Sequence, residues 1–317
     1  MNLDIKDKRI LYALDKNARI SYSQLARKTQ LSPEVALYRV KKLEQSGIIT
    51  QYQTSVNYWK LGLIHFKICL VFNGISLQAE EELYVKLKEI PQIIWIAKCQ
   101  GEYDCLLSCT VNNMEELDSV KDKILALANK HLLNKTISLS SKIWSFPRRY
   151  LTAQKEELLE KEDHHPVELD RLDIELLRIL SLEGRLSVVQ IAKKLKSTIK
   201  IITNRIKKLQ QSKTINNYRL VIDYEKLGVK LFKTFISLKN PENNRLRQLI
   251  TYLNTNKHLV HNLKVIGAWD LEPEFEFEKE EEFQKEIQKI KNKFSDIIQK
   301  ISVINVIKEY KYTFFYK

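Results

Sequence analysis

Two short stretches carry the side chains with the most evident chemistry. Ser32, Glu34, Val35, Tyr38, Arg39, Lys41 and Lys42 surround the apolar positions Ala36, Val40 and Leu43, and Thr198, Lys200, Ile201, Thr203, Asn204, Arg205 and Lys208 surround Ile202, Ile206 and Leu209. Apolar spacings of four and three place each core set on one face of a helix and turn the remaining residues outward. Arginine and asparagine can grip guanine and adenine edges with paired hydrogen bonds, while lysine chiefly holds phosphate. A helix of this kind, entered by a tight turn from a preceding one, has the form of a DNA-reading helix whose first residues meet base edges in the major groove. The bland alternative is a three-helix bundle with a solvated basic face.

That alternative weakens because the pattern occurs twice. One offset of 166 (267 − 101) aligns most of both halves without a gap. It sets Ala18-Arg19-Ile20-Ser21 on Gly184-Arg185-Leu186-Ser187, and Gln24-Leu25-Ala26-Arg27-Lys28 on Gln190-Ile191-Ala192-Lys193-Lys194. It also sets Arg39-Val40-Lys41-Lys42-Leu43 on Arg205-Ile206-Lys207-Lys208-Leu209, and Gly101 and Asp104 on Gly267 and Asp270. A repeat this long marks a duplicated domain pair.

The composition fits a polyanionic partner. The 317 residues include 53 Lys and Arg against 39 Asp and Glu, a formal charge of +14. Between Leu169 and Tyr218 a dense set of Lys and Arg is opposed only by Asp170, Asp173, Glu175 and Glu183. The opening residues contain no apolar h-region and no run of about 18 apolar residues occurs, so a soluble, cytoplasmic protein without membrane contact is expected.

Enzymatic and metal chemistry find little support. The seven glycines never cluster, which excludes a Gly-rich dinucleotide loop and a P-loop. No nucleophile has a sequence-level partner, so no catalytic residue or cofactor is expected. Cys69, Cys99, Cys105 and Cys109 have the apolar counterparts Phe235, Val265, Leu271 and Phe275, which reads the thiols as small core residues on strands and not as metal ligands. His258 and His261 lie near a strand with no third ligand in view and read as surface histidines. Trp95, Trp144 and Trp269 read as core or interface aromatics.

The elements that must position the outward faces follow from capping and periodicity. In the first half, Asp4 or Asp7 caps one helix, Ser21 a second, and Ser32-Pro33 opens the third, which Gly47 ends in a left-handed turn. In the second half Asp170 or Asp173, Ser187 and Thr198 take those roles. Residues 48–56, with Tyr52, form a wing-like extended ribbon, matched by one through Tyr218. The remainder of the first half alternates strand 66–72, helix 78–89, strand 93–99, strand 104–111, helix 115–132 and strand 136–144, the order of a ferredoxin-like sandwich, and the second half repeats it. The expected class is therefore α+β: two winged helix-turn-helix domains, each followed by a βαββαβ sandwich. The boundaries read as 1–56 and 63–146 for the first pair, 147–168 for a charged linker, and 169–222 and 229–317 for the second pair. Residues 154–163 read as a short solvated helix broken by His164-His165-Pro166.

These motifs together resemble the Lrp/AsnC (feast/famine) transcriptional regulators, arranged as a tandem fusion of two units. Leu31-Ser32-Pro33, Arg39-Val40-Lys41-Lys42-Leu43-Glu44 and Gly47-Ile48-Ile49 are similar to that family's DNA-binding helix and wing. Lys60-Leu61-Gly62 resembles its hinge. Gly101-Glu102-Tyr103-Asp104 and Gly267-Ala268-Trp269-Asp270 resemble the Gly-x-aromatic-Asp turn of its ligand-sensing sandwich, the RAM domain. The resemblance implies double-stranded DNA as partner, pairing through the sandwich sheets, and a small effector, an amino acid or related metabolite, near those turns. A fused tandem would supply an intramolecular pseudo-dimer able to associate further, with half-sites spaced by about one helical turn or a multiple.

Asp104 and Asp270, joined by Glu102, have two readings: accepting a ligand's amino group, or bonding neighbouring backbone amides at a turn that glycine permits. The second half departs from the family pattern where Ser197-Thr198-Ile199 replaces Leu31-Ser32-Pro33 and Lys213 replaces Gly47. A non-glycine residue held left-handed costs about 1 kcal/mol. The first head is therefore expected to read sequence and the second to add affinity, so that neutralising Lys200, Arg205 and Lys208 weakens binding to all sequences alike. Two rival readings exist. Siroheme decarboxylases share this architecture, but they act through histidine and arginine in the sandwiches, where these turns carry carboxylates. A metabolite sensor that had lost DNA binding would not keep basic recognition faces. RNA suits such helices less well than the B-form major groove.

Overall fold

A computed structural model of the chain describes residues 3–152, 165–313 and 315. The charged helix expected over 154–163, with His164, lies outside the described residues.

The first half runs α1 (Ile5–Lys16), α2 (Tyr22–Thr29), α3 (Pro33–Gln45), β1 (Ile49–Val56), β2 (Ile64–Phe72), α4 (Leu77–Lys88), β3 (Ile93–Gly101), β4 (Cys105–Val111), α5 (Met114–Ala128) and β5 (Leu132–Ser145). The second half runs α6 (Arg171–Leu182), α7 (Val188–Lys194), α8 (Ile199–Gln211), β6 (Ile215–Ile222), α9 (Tyr224–Leu227), β7 (Lys230–Leu238), α10 (Asn243–Thr255), β8 (Leu259–Ile266), β9 (Leu271–Phe277), α11 (Glu280–Lys293) and β10 (Ile298–Tyr312). No helix among the described residues is long and apolar enough to cross a membrane. Contacts divide the chain not at its midpoint but by domain type. One unit holds Met1–Leu63, Pro147–Leu227 and Thr313–Lys317; the other holds Ile64–Phe146 and Gly228–Tyr312.

In the first unit, Asp4 and Asp7 form a reciprocal capping box at α1, and Asp170 and Asp173 form the same box at α6. Gly47 ends α3 at φ 73°, and Lys213 adopts φ 58° at the equivalent place after α8. The left-handed stop therefore survives the loss of glycine. The ribbons β1 and β6 pair with each other, antiparallel, as a two-stranded sheet. Each head's first helix packs on the other head's strand: α1 on β6 and α6 on β1. The first head's core of Ile10, Leu14, Leu25, Val40 and Leu43 accordingly includes Leu220 and Ile222 from the second half. Buried Asp15 lies 2.9 Å from the Arg148 guanidinium and 3.4 Å from that of Arg219, which ties the chain after β5 to α1.

In the second unit, the eight strands close into a barrel in the order β10-β3-β4-β2-β5-β8-β9-β7. The halves meet at two equivalent seams, β5 with β8 and β3 with β10. Leu139 pairs Ile266 in one, and their counterparts Asn305 and Gln100 pair in the other. Strand alternation sends Phe66, Ile68 and Leu70 outward onto Leu83, Tyr84 and Leu87 of α4 and Val120 and Ile124 of α5. Phe232, Ile236, Leu271 and Phe275 do the same against α10 and α11. The opposite faces of these strands line the barrel interior, and they carry buried Lys67, Lys233, Glu272 and Glu274. All four cysteines are free and buried. His258 is half-buried and stacks on Phe277 at 4.0 Å, and His261 bonds Ser145, so neither is a plain surface histidine.

Candidate nucleic-acid interface

The outward face of α3 is set by its first turn. The Ser32 hydroxyl accepts a hydrogen bond from the Val35 N–H at 3.3 Å, and Pro33 takes the first helical position, where no amide donor is needed. With Ala36, Val40 and Leu43 buried, Glu34, Val35, Tyr38, Lys41 and Lys42 are exposed, Tyr38 to 66%. In α8 the Thr198 hydroxyl accepts from the Ile201 N–H at 3.2 Å, and Lys200, Ile201, Asn204, Lys207 and Lys208 are exposed. The second head is built to the plan of the first.

Three residues expected on these faces are committed elsewhere. The Arg39 guanidinium donates to Asp4 at 2.8 Å and Asp7 at 2.7 Å, and Arg205 lies 2.5 Å from Asp170 and 3.0 Å from Asp173. Both arginines thus clamp the recognition helix to the start of the head's first helix. They position the helix, and a base contact would require giving up two carboxylates. The backbone amide of Asp7 holds the Asp4 carboxyl below its usual range, with Arg39 adding to the effect. The Thr203 hydroxyl donates to the Ile199 carbonyl at 2.7 Å, and its counterpart is Leu37. The signal for the clamps was present in the sequence, since Asp4, Asp7 and Arg39 all recur at the same offset.

The heads are tied by a feature the motifs did not reveal. Arg19 donates to the carbonyls of Gly184 and Leu186, both at 2.8 Å, and its counterpart Arg185 donates to those of Ala18 at 2.6 Å and Ile20 at 3.4 Å. Each arginine also lies over a tyrosine of the shared sheet, Arg19 on Tyr218 and Arg185 on Tyr52. This reciprocal exchange and the β1–β6 ladder hold both recognition helices on one frame.

The two Gly-x-aromatic-Asp turns lie in the other unit and take the structural reading. Asp104 accepts from the Phe72 N–H and Asp270 from the Leu238 N–H, both at 2.7 Å. Tyr103 and Trp269 are buried, both packing against Phe235. Gly101, at φ 136°, passes so close to β10 that a Cβ would lie 2.8 Å from the Val303 carbonyl; at Gly267 it would lie 3.0 Å from that of Ile137. These turns close the barrel seams. Glu102 is exposed and pairs with Lys300 at 3.1 Å. At these turns the two aspartates serve strand amides and the aromatics fill the interior.

Comparison with known proteins agrees with the head geometry. A model of winged helix-turn-helix DNA-binding domains matches residues 3–50. The proline dehydrogenase transcriptional activator of Rhodobacter capsulatus is 33% identical over 127 residues, 39% of this chain and 82% of that protein. The regulatory protein AsnC of Haemophilus influenzae is 32% identical over 122 residues, 38% of this chain and 79% of that protein. Among solved structures, the siroheme decarboxylase NirDL superposes with a TM-score of 0.64, covering 98% of this chain and 94% of its own, at 13% identity. That likeness is one of fold.

Proposed function

The chain belongs to the Lrp/AsnC family of transcriptional regulators, and we propose that it is a sequence-specific DNA-binding regulator carrying both reading heads of a dimer on one polypeptide. The observation that carries this reading is the pair of capped, basic-faced helices, α3 and α8, fixed on a common frame by Arg19 and Arg185. In this reading Tyr38, Asn204, Glu34 and Lys200 meet base edges, and Lys41, Lys42, Lys207 and Lys208 hold phosphates. Ser32 and Thr198 cap the two helices and contribute hydroxyls beside the phosphates.

Asp104 and Asp270 serve the sheet, so an amino acid or related metabolite would act elsewhere than at those two carboxylates. An enzyme reading draws only on likeness of fold, whereas the basic heads are what a DNA-binding protein needs.

The test is recovery of genomic DNA fragments by the purified full chain at about 150 mM salt, where non-specific phosphate binding is weak. A recovered motif with two half-sites supports the proposal. Sequence-blind retention, or none, contradicts it.

A further inference from the structure

We propose that the two heads read different half-sites, so that the DNA element is non-palindromic and the chain binds it in one orientation. This rests on the DNA-binding reading above.

The frame treats the heads alike: equivalent caps at Ser32 and Thr198, equivalent clamps at Arg39 and Arg205, and a reciprocal Arg19–Arg185 exchange. The phosphate-holding lysines are identical as well, Lys41 with Lys207 and Lys42 with Lys208. Differences concentrate on the exposed N-terminal half of each recognition helix, which enters the groove. Glu34 is matched by Lys200 and Tyr38 by Asn204, whereas Val35 and Ile201 are similar.

The chemistries are opposed. Glu34 is an acceptor, and its own backbone amide and the Ser32 hydroxyl hold its carboxyl below the ordinary range and therefore ionised. It suits a base edge that offers a donor, such as the cytosine amino group, and disfavours guanine's two acceptors. Lys200, at the same place in the second head, is a donor and requires the reverse. Asn204 can both donate and accept, the pattern that adenine presents, whereas Tyr38 offers an aromatic edge and one hydroxyl. One half-site sequence cannot satisfy both heads. The first head then takes a cytosine-containing half-site and the second an adenine-containing one.

The test is selection of binding sites from a randomised duplex library by the full chain at about 150 mM salt, for wild type, Glu34→Ala, Asn204→Ala, and a variant carrying Lys200→Glu with Asn204→Tyr. All substitutions are at exposed positions, and thermal melting checks that the fold is kept. The expected wild-type motif has two unlike halves. Asn204→Ala should lose roughly tenfold preference for one adenine in one half only, and Glu34→Ala should relax the other half only. The double substitution, which gives the second head the first head's face, should turn the motif toward a palindrome. A palindromic wild-type motif, or single variants that relax both halves equally, would overturn the proposal while leaving DNA binding intact. No motif at all would overturn the DNA-binding reading, and this one with it.

Discussion

Gln53 faces Arg219 across the middle of the β1–β6 ladder, and the two are counterparts in the repeat (219 − 53 = 166). A residue paired with its own copy marks a pseudo-twofold axis. The neighbouring pairs obey it: Tyr52 with Leu220 and Thr54 with Tyr218 are related by the same exchange. The heads are therefore organised as in a symmetric dimer, although one chain supplies both.

The arginine exchange around this axis sets the first prediction. Arg19→Ala removes a cation from two backbone carbonyls, Gly184 and Leu186, and should destabilise the protein by about 2 kcal/mol. Because it loosens one head against the other, affinity for a two-half-site duplex should fall more than affinity for a single half-site. Equal losses on both duplexes would show that the exchange does not set head spacing.

The clamps and the free lysines should separate stability from binding. Arg39→Ala breaks the tie to Asp4 and Asp7 and should lower the melting midpoint, corresponding to about 1 kcal/mol. Lys42→Ala should leave melting unchanged and reduce the slope of log affinity against log salt by about 0.9. If Arg39→Ala melted like wild type, the clamp would not be holding the helix.

The barrel interior makes a sharper demand. Lys67 and Lys233 occupy the same place in the two halves, but the carboxylates that neutralise them, Glu272 and Glu274, belong to β9 alone; their counterparts in β4 are Leu106 and Ser108. Burial opposes these charges and prevails at Lys67, whose value it lowers. Even so, the two glutamates hold Lys233 above its ordinary value, and the lysines hold Glu274 far below its own. Glu272→Gln should therefore cost about 3–5 kcal/mol in urea unfolding, since it leaves a buried ammonium undercompensated. Adding Lys67→Met should recover much of the loss. A loss unchanged in the double variant would mean that the charges are not coupled.

His65 predicts a pH dependence. Burial, with Lys67 and Lys233 nearby, pushes its pKa from 6.5 down to about 3, and its ring shares a hydrogen bond with Ser140 at 2.7 Å. The unfolded chain takes up a proton below about pH 6.5 that the folded chain refuses. Stability from this group is thus complete above that pH and declines as pH falls, by about 2 kcal/mol between pH 6.5 and 5. His258, also lowered by burial, acts in the same sense. The comparison of wild type with His65→Asn isolates the contribution: the variant should show a shallower slope over that interval, and an unchanged slope would rule His65 out as its source.

Local chemistry was legible in the sequence and long-range pairing was not. Ser32-Pro33, Ser21 and the capping aspartates announced the helices because capping depends on residues three apart. The offset of 166 extended each assignment to the second half. Nothing in periodicity indicates that β1 pairs with β6, or that the two sandwiches close through β5–β8 and β3–β10, because those partners lie more than a hundred residues apart. Helical spacing turns Arg39 and Arg205 outward. Only the folded head shows the aspartates reaching them. Lys67 and Lys233 in mainly apolar strands, with Glu272 and Glu274 alternating with Leu271 and Phe275, are the available sign of an ionic interior.

The measurement that bears most directly on the account is the affinity of the intact chain for its selected DNA fragment against a scrambled duplex of equal length and composition, at about 150 mM salt. A sequence-specific regulator should prefer the selected fragment by about a thousandfold or more. A ratio near one would contradict the account, leaving a basic protein that holds DNA without reading it.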